Sequence, residues 1–342
     1  MNVQLDLASA WFLLVGVLLT GYAVLDGFDL GVGSLHLLTR GDSERRTLLN
    51  AIGPVWDGNE VWLLAGGGAL FAAFPDVYAT VFSGFYTALM LFLMVAILRA
   101  VSLEFRSKAT MPWWPKVWDT VFAVTSTVMA LLLGVALGNI ARGIPIDADR
   151  EFAGSFLGLL NPYALVVGLT TVALFVTHGG IYLQMKTEGA LLERIQGQTQ
   201  KAHLVLVALF VVLTVFTVVA QPHLVKPFQA VPALLAVPLL VTAALGYVPI
   251  ALRAGRPGRA FVASATAIGG LMLTLGLGLY SRLVPSLPHP QHTLTIYNAS
   301  SSPKTLTTML IIALVGMPLV IGYTIFIYRI FKGKVRLDDH SY

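Results

Sequence analysis

Long apolar segments recur along the chain and constrain its fold more than any other feature. About nine of them reach the roughly 20 residues that an α-helix needs to cross a bilayer. A soluble domain would carry about a quarter charged residues, whereas this chain has 11% charged and 56% hydrophobic residues. We therefore predict an all-α integral membrane protein. The predicted spans are 11–38, 50–74, 77–104, 114–141, 161–185, 200–220, 231–252, 260–283 and 306–331.

The basic residues predict the orientation of these helices. With the N-terminus outside, Lys and Arg in the inner loops and tail outnumber those in the outer segments by about three to one. An odd number of spans places the two termini on opposite sides of the membrane, so the charge bias predicts an N-terminus outside and a cytoplasmic C-terminus. The net charge of +5 reflects this bias and does not indicate a nucleic-acid partner. The chain has no cysteine, which excludes disulfides and thiolate metal sites.

Acidic residues interrupt the first two predicted spans. Asp26 and Asp29 lie three residues apart, as do Asp57 and Glu60, so the members of each pair share a helix face. An ionised group within a membrane span costs about 2.5–3.5 kcal/mol, and such groups usually mark ion or proton routes. His36 follows Asp29 on a similar face. The alternative is that the second pair lies at a helix start and is merely solvated.

A histidine in the fifth predicted span is the other candidate polar group. His178 precedes Gly179 and lies about 10 Å from the inner helix end at 1.5 Å per residue. A packed core residue, a member of a proton or polar network, and a haem ligand are the three interpretations. From matched depths we expect Asp29, Asp57 and His178 to lie close together in the inner third of the membrane, with Glu60 on the same face.

Glycines spaced four residues apart predict close helix packing. Gly27 and Gly31 lie in the first predicted span, and Gly134 and Gly138 lie in the fourth. Small residues at this spacing let two helix backbones approach closely in a membrane. The glycines therefore point to helix–helix contacts and not to a ligand site.

Several sequence blocks carry a family resemblance. They read AVLDGFDLGVG at 23–33, GPVWDGNEVWL at 53–63, THGGIYLQM at 177–185 and NASSS at 298–302. These blocks occur in order over nearly the whole chain, and the Trp-Asp-Gly-Asn block is highly specific. The chain resembles subunit II of the bacterial cytochrome bd-type quinol oxidases.

The resemblance implies an architecture and a set of partners. It implies two four-helix bundles, at 1–142 and 161–283, and a peripheral ninth helix at 306–331, all in one polytopic domain 1–342. The expected partners are a haem-bearing subunit I of homologous fold, a small single-helix third subunit, membrane lipid and quinol. Two haems b and haem d are expected in subunit I. The expected location is the bacterial cytoplasmic membrane.

The resemblance also implies a reaction and candidate residues. Such complexes oxidise quinol and reduce dioxygen to water with protons from the cytoplasm. Asp57 resembles the aspartate proposed to begin a proton route, and Glu60 is the weaker candidate because glutamine also occurs there in the family. No residue is assigned to catalysis, cofactor binding or a metal. The proton-transfer candidates are Asp57, Asp29, Asp26, Glu60 and His178.

A secondary transporter is the competing function. Buried carboxylates near mid-depth and repeat-like halves are also transporter features. A weak similarity between the first and fifth spans is compatible with such a repeat and equally with chance. Haem bands and oxygen consumption by the native complex would favour the oxidase, whereas substrate flux through this chain alone would favour the transporter.

Overall fold

The fold is a set of twelve α-helices with a small two-stranded sheet at one end. The computed structural model describes residues 6–337. Helices suit a lipid environment because they satisfy their own backbone hydrogen bonds. The helices are α1 (Leu7–Leu35), α2 (Gly41–Ile52), α3 (Trp56–Ala73), α4 (Pro75–Gly84), α5 (Tyr86–Phe105), α6 (Trp114–Arg142), α7 (Pro162–Lys186), α8 (Gly189–Ala220), α9 (Pro222–Ala230), α10 (Ala236–Arg253), α11 (Pro257–Leu279) and α12 (Pro303–Ile330).

Eight helices within the described residues are long and apolar enough to cross a membrane. They are α1, α5, α6, α7, α8, α10, α11 and α12, each lying on a predicted span. Helix α3 is not among them, since three polar residues occupy its first turns: Asp57, Asn59 and Glu60. Its 18 residues reach about 27 Å, close to the thickness of the hydrocarbon core. A ninth crossing therefore stays a prediction, as does the orientation of the termini.

Two predicted spans have different boundaries in the structure. The segment predicted at 50–74 is divided, because α2 ends at Ile52 and α3 begins at Trp56. Pro54 lies in this gap, and proline disfavours a helical residue before it and lacks a backbone donor. The segment predicted at 77–104 is divided at Phe85, between α4 and α5. The first of these breaks sets the start of α3, which carries two of the candidate carboxylates.

The central contact joins α1 and α7 through glycine. A Cβ atom added to Gly179 would lie 2.6 Å from backbone atoms of Phe28, Gly31 and Val32, which leaves no space for a side chain. Gly31 is equally constrained by the backbone of Phe175. The packing role expected for Gly31 is thus confirmed, and it brings α1 and α7 together at the depth of the candidate site.

Helices α6 and α7 approach each other in the same way. Cβ atoms added to Gly134 and Gly138 would lie 2.7 Å from the Cα atoms of Gly168 and Ala164. Helix α7 also packs against α1, α8 and α11, so the two halves of the chain share an extensive interface. The division into bundles at 1–142 and 161–283 stays a prediction. Helix α12 is peripheral, with Leu306 as its one buried residue in the described part of the chain.

The end of the bundle where α6 and α11 finish is closed by short strands and loops. Strands β1 (Arg282–Val284) and β2 (Leu294–Thr295) pair antiparallel. Val284 and Leu294 point into an apolar cluster that includes Phe74 and Ile144. This cluster closes that end with apolar contacts and carries none of the candidate carboxylates.

The chain after α12 folds back onto the end of α7. The Lys334 ammonium donates hydrogen bonds to the carbonyl oxygens of Gln184 (3.1 Å) and Thr187 (2.6 Å). The Val335 backbone N–H donates to the Lys186 carbonyl oxygen at 2.9 Å. The sequence predicts a charged, solvated tail from 329 to 342. Lys334 is charged and exposed as predicted, but the carbonyl groups at the end of α7 hold 334–335 in place. The last part of the predicted tail, 338–342, lies outside the described residues.

Candidate functional site

Arg99 lies at the centre of the buried polar network. This residue of α5 is completely buried, and its guanidinium forms ion pairs with Asp26 of α1 and Glu60 of α3. The nitrogen–oxygen distance to Asp26 is 3.3 Å. Charged side chains are almost never fully buried unless they are paired. Arg99 therefore joins three helices through the two carboxylates, which the sequence alone placed only in separate pairs.

Asp29 is held by a second set of contacts. The Asn59 amide donates to Asp29 Oδ2 at 2.7 Å, and the Tyr328 hydroxyl of α12 donates to Asn59 Oδ1 at 3.0 Å. Asp29 Oδ1 and Asp26 Oδ2 are buried without a hydrogen-bond partner among the described residues, as is the Tyr22 hydroxyl. Such groups keep the capacity to accept or exchange hydrogen bonds. The network therefore has unused acceptors along one side of α1.

Asp57 lies outside this network. It is exposed in the first turn of α3 and forms no hydrogen bond or ion pair within residues 6–337. Glu60 is 24% exposed and contacts Arg99. Side chains three residues apart differ by about 300° around the helix axis. Asp57 and Glu60 therefore lie on the same side of α3 but point in directions about 60° apart. The predicted grouping of Asp57 with Asp29 is therefore found only in part. Glu60 connects α3 to α1 through Arg99, whereas Asp57 is exposed.

His178 is also separate from the carboxylates. Its ring lies between α1 and α11, with Nδ1 2.6 Å from Ser264 Oγ and Nε2 3.1 Å from the Val24 carbonyl oxygen. Because a carbonyl can only accept, Nε2 donates to Val24, while the Ser264 hydroxyl beside Nδ1 also lies 2.9 Å from the Phe261 carbonyl oxygen, to which it donates. The ring stacks on Phe261 at 4.5 Å. These contacts fit the core interpretation, and the structure does not bring His178 to the predicted carboxylate cluster.

A second ionic cluster, which the sequence reasoning missed, surrounds Asp119 of α6. His36 Nε2 and Arg106 Nε each lie 2.6 Å from Asp119 Oδ1, and Arg45 Nη1 lies 2.8 Å from Oδ2. Arg106 also pairs with Asp42 at 2.6 Å. Burial alone would lower the pKa of Arg106, but its hydrogen bonds to the two carboxylates outweigh that effect and raise it. His36 therefore links the end of α1 to α6 and takes no part in the contacts of Asp29.

His178 does not fit a haem ligand, because both of its ring nitrogens are engaged. His36 uses Nε2 for Asp119, and the Nδ1 atoms of His36 and of the buried His203 have no hydrogen-bond partner among the described residues. No group of three or more His, Asp or Glu residues within the described chain is arranged to hold a metal ion. A haem iron at His178 would require breaking a buried hydrogen bond, which costs about 1–3 kcal/mol per unsatisfied group.

The family model described as cytochrome bd terminal oxidase subunit II matches residues 7–331. The chain belongs to this family. Cytochrome bd-I ubiquinol oxidase subunit 2 of Escherichia coli K12 is 37% identical over 96% of this chain and 95% of its own length. Cytochrome bd ubiquinol oxidase subunit 2 of Bacillus subtilis 168 is 37% identical over 96% and 97%. A chain of the bd oxidase structure from Geobacillus thermodenitrificans has TM-score 0.79, 17% identity, and 95% and 98% coverage, which shows the same fold.

The resemblance drawn from the sequence blocks is thus confirmed. Family membership makes the chain a subunit of a quinol:oxygen oxidoreductase complex with a partner subunit I. It is a multi-pass protein of the bacterial cytoplasmic membrane. The family match also decides between the two function classes in favour of the oxidase over the transporter.

Proposed function

We propose that this chain is the haem-free, supporting subunit of an oxidase that oxidises quinol and reduces dioxygen to water. The relatives named ubiquinol oxidase subunit 2 match it over nearly their whole length. The contacts of both ring nitrogens of His178 disfavour haem ligation by that residue. Two haems b and haem d would reside in subunit I and supply the electron-transfer and oxygen chemistry. A small single-helix third subunit completes the expected complex.

The supporting role rests on the exposed face of α3. Val61, Leu64 and Phe71 are 52%, 73% and 58% exposed, and Gly68 has no neighbour within 4 Å of an added Cβ. Together with Asp57 they form one stripe along the helix at spacings of three and four residues. A stripe that is apolar except at one end suits burial against a transmembrane helix of the partner, with Asp57 at the edge of that contact.

We further propose that α3 and α1 carry a proton-uptake route. The observation behind this proposal is the buried network in which Arg99 holds Asp26 and Glu60 together. Asp57 would take a proton from cytoplasmic water and pass it to Glu60, one helical turn away. Side chains three residues apart have Cβ atoms about 5–6 Å apart, a distance that one bridging water can span.

The inner members of the route have distinct roles in this proposal. Asp26 and Asp29 hold the proton deeper in the bundle, where each has one carboxylate oxygen without a hydrogen-bond partner among the described residues. Arg99 relays no proton, because a guanidinium does not deprotonate in proteins; it fixes the positions of the carboxylates. We leave His178 out of the proposed route, because its ring nitrogens contact Ser264 and the Val24 carbonyl oxygen.

The test is Asp57→Asn, which keeps the shape of the side chain but removes its titration. We expect normal assembly and haem content of the purified complex, with quinol oxidase turnover slowed roughly tenfold or more, equivalent to about 1.4 kcal/mol of barrier. The matched control is Glu188→Gln, an exposed carboxylate just after α7, which should retain normal turnover.

Two results would contradict the route. Full turnover in Asp57→Asn would mean that protons enter elsewhere in the complex. Failure of the variant to assemble would mean that Asp57 is a structural contact with the partner subunit. Turnover in deuterated water supplies an independent measurement, because a slowed proton step should increase the solvent isotope effect in the variant and leave it unchanged in the Glu188→Gln control.

A further inference from the structure

A basic cavity lies between the end of α7, the turn from α2 to α3, and the segment after α12. Its volume is about 400 Å³. Among the described residues, its lining contains no Asp or Glu and four cationic side chains: Lys186, Lys332, Lys334 and Arg336. Asn50 and the tyrosines Tyr182 and Tyr328 add polar side chains to the same lining. The cavity therefore combines a definite volume with an uncompensated positive charge.

Backbone carbonyl groups fix two of these cations in place. Lys334 donates to the carbonyl oxygens of Gln184 and Thr187. The Lys186 ammonium donates to the Phe331 carbonyl oxygen at 2.5 Å and lies 5.5 Å from the centre of the Tyr182 ring. Lysines commonly bind the last carbonyl groups of a helix and offset its dipole. That role accounts for Lys186 and Lys334 without any ligand.

The same explanation does not apply to Lys332 and Arg336. Neither side chain forms a hydrogen bond or ion pair within the described part of the chain. They nevertheless line the cavity beside two other cations, and like charges held close together repel one another. An anion in the cavity would relieve this repulsion. Arginine offers a planar, forked donor set for phosphate oxygens, and lysine adds a compact positive charge.

We infer that the basic cavity binds a phosphate-bearing anion. The source is either the headgroup of an anionic phospholipid or a free phosphate. Basic pockets between transmembrane helices at the cytoplasmic side are known to suit anionic headgroups. Two exposed apolar side chains in the lining, Ile330 (55%) and Phe331 (47%), can contact acyl chains. Tyr328 lines the cavity and also contacts Asn59 of the polar network. The anion site nevertheless rests on Lys332 and Arg336, which take no part in the proposed proton route, so failure of anion binding would leave that route untouched.

Binding is measured by calorimetric titration of the complete, delipidated complex in detergent. The three probes are dihexanoylphosphatidylglycerol, which is anionic, dihexanoylphosphatidylcholine, which has no net charge, and inorganic phosphate. A lipid site should bind the phosphatidylglycerol at least tenfold more tightly than either other probe. Equal affinity for inorganic phosphate and phosphatidylglycerol would identify free phosphate as the ligand. Binding should weaken at high ionic strength.

The variant Lys332→Ala/Arg336→Ala removes the two unpaired cations and keeps the contacts of Lys186 and Lys334. Each basic residue near an anionic headgroup contributes about fivefold in affinity, so the loss of two should weaken binding of the anionic probe about 25-fold. The matched control is Lys108→Ala/Lys116→Ala, which removes the same charge from two exposed positions, one in the loop after α5 and one in the first turn of α6. Its affinity should equal that of the unmodified complex.

Three outcomes would overturn the inference. The first is the absence of measurable binding by any probe, and the second is equal loss of affinity in the control variant. The third concerns Asp338 and Asp339, which follow in the sequence but lie outside the described residues. If the anionic probe binds only after Asp338→Asn/Asp339→Asn, the carboxylates of the tail are the natural occupants of the cavity and an external anion is not.

Discussion

Replacement of Arg99 by methionine is the sharpest test of the buried network. The side chain keeps much of its length but loses its charge, which leaves Asp26 buried without a cation. Asp26 is 0% exposed, whereas Glu60 is 24% exposed and can turn toward water. Removing one partner of a buried ion pair costs about 3–5 kcal/mol. We expect Arg99→Met to lower the stability of the assembled complex by about 3 kcal/mol or more, mostly through Asp26.

The assay is thermal unfolding of the purified complex, with haem absorbance reporting whether the partner subunit is still assembled. The double variant Arg99→Met/Asp26→Asn removes both charges and should recover most of the lost stability, because a buried amide is less costly than an unpaired carboxylate. Wild-type stability in Arg99→Met would refute the argument. So would additive losses in the double variant, since contacting partners should couple.

An exposed ion pair supplies the matched control. Arg150 pairs with Asp76 on the surface, where the two side chains are 47% and 42% exposed. Exposed pairs contribute about 0–1 kcal/mol. Arg150→Met should therefore change the stability by no more than about 1 kcal/mol. A loss as large as that in Arg99→Met would show that the effect comes from shortening any arginine, and that burial is not its cause.

Three further predictions use other parts of the structure. Asp119→Ala leaves Arg45, Arg106 and His36 without the carboxylate that they share and should destabilise the complex by about 3 kcal/mol, measured in the same thermal assay. Gly179→Val places a side chain against the α1 backbone and should cost about 3 kcal/mol or prevent assembly, whereas Gly16→Ala, with no neighbour within 4 Å, should be tolerated. Reporter fusions after Arg46 and Lys334 should give cytoplasmic signals, and periplasmic signals would refute the predicted orientation.

The sequence by itself determined the membrane class, the places of most helices and the family. Apolar length and the distribution of charge act locally, so they can be read one segment at a time. The four-residue glycine spacing that includes Gly31 predicted a close helix contact, and in the structure Gly31 packs against Gly179 of α7. The blocks around Asp26 and Asp57 supplied the family resemblance. None of these signals depends on knowing which helices are neighbours.

Only the tertiary structure decided which charged groups meet. Arg99 was just one cation within an apolar segment until α5 was placed beside α1 and α3, where it pairs with Asp26 and Glu60. His178 matched the depth of the carboxylates but faces Ser264 on α11 instead. Depth along a helix follows from residue number at 1.5 Å per residue. Direction around the helix and the choice of neighbour depend on packing across the whole bundle, which sequence spacing does not encode.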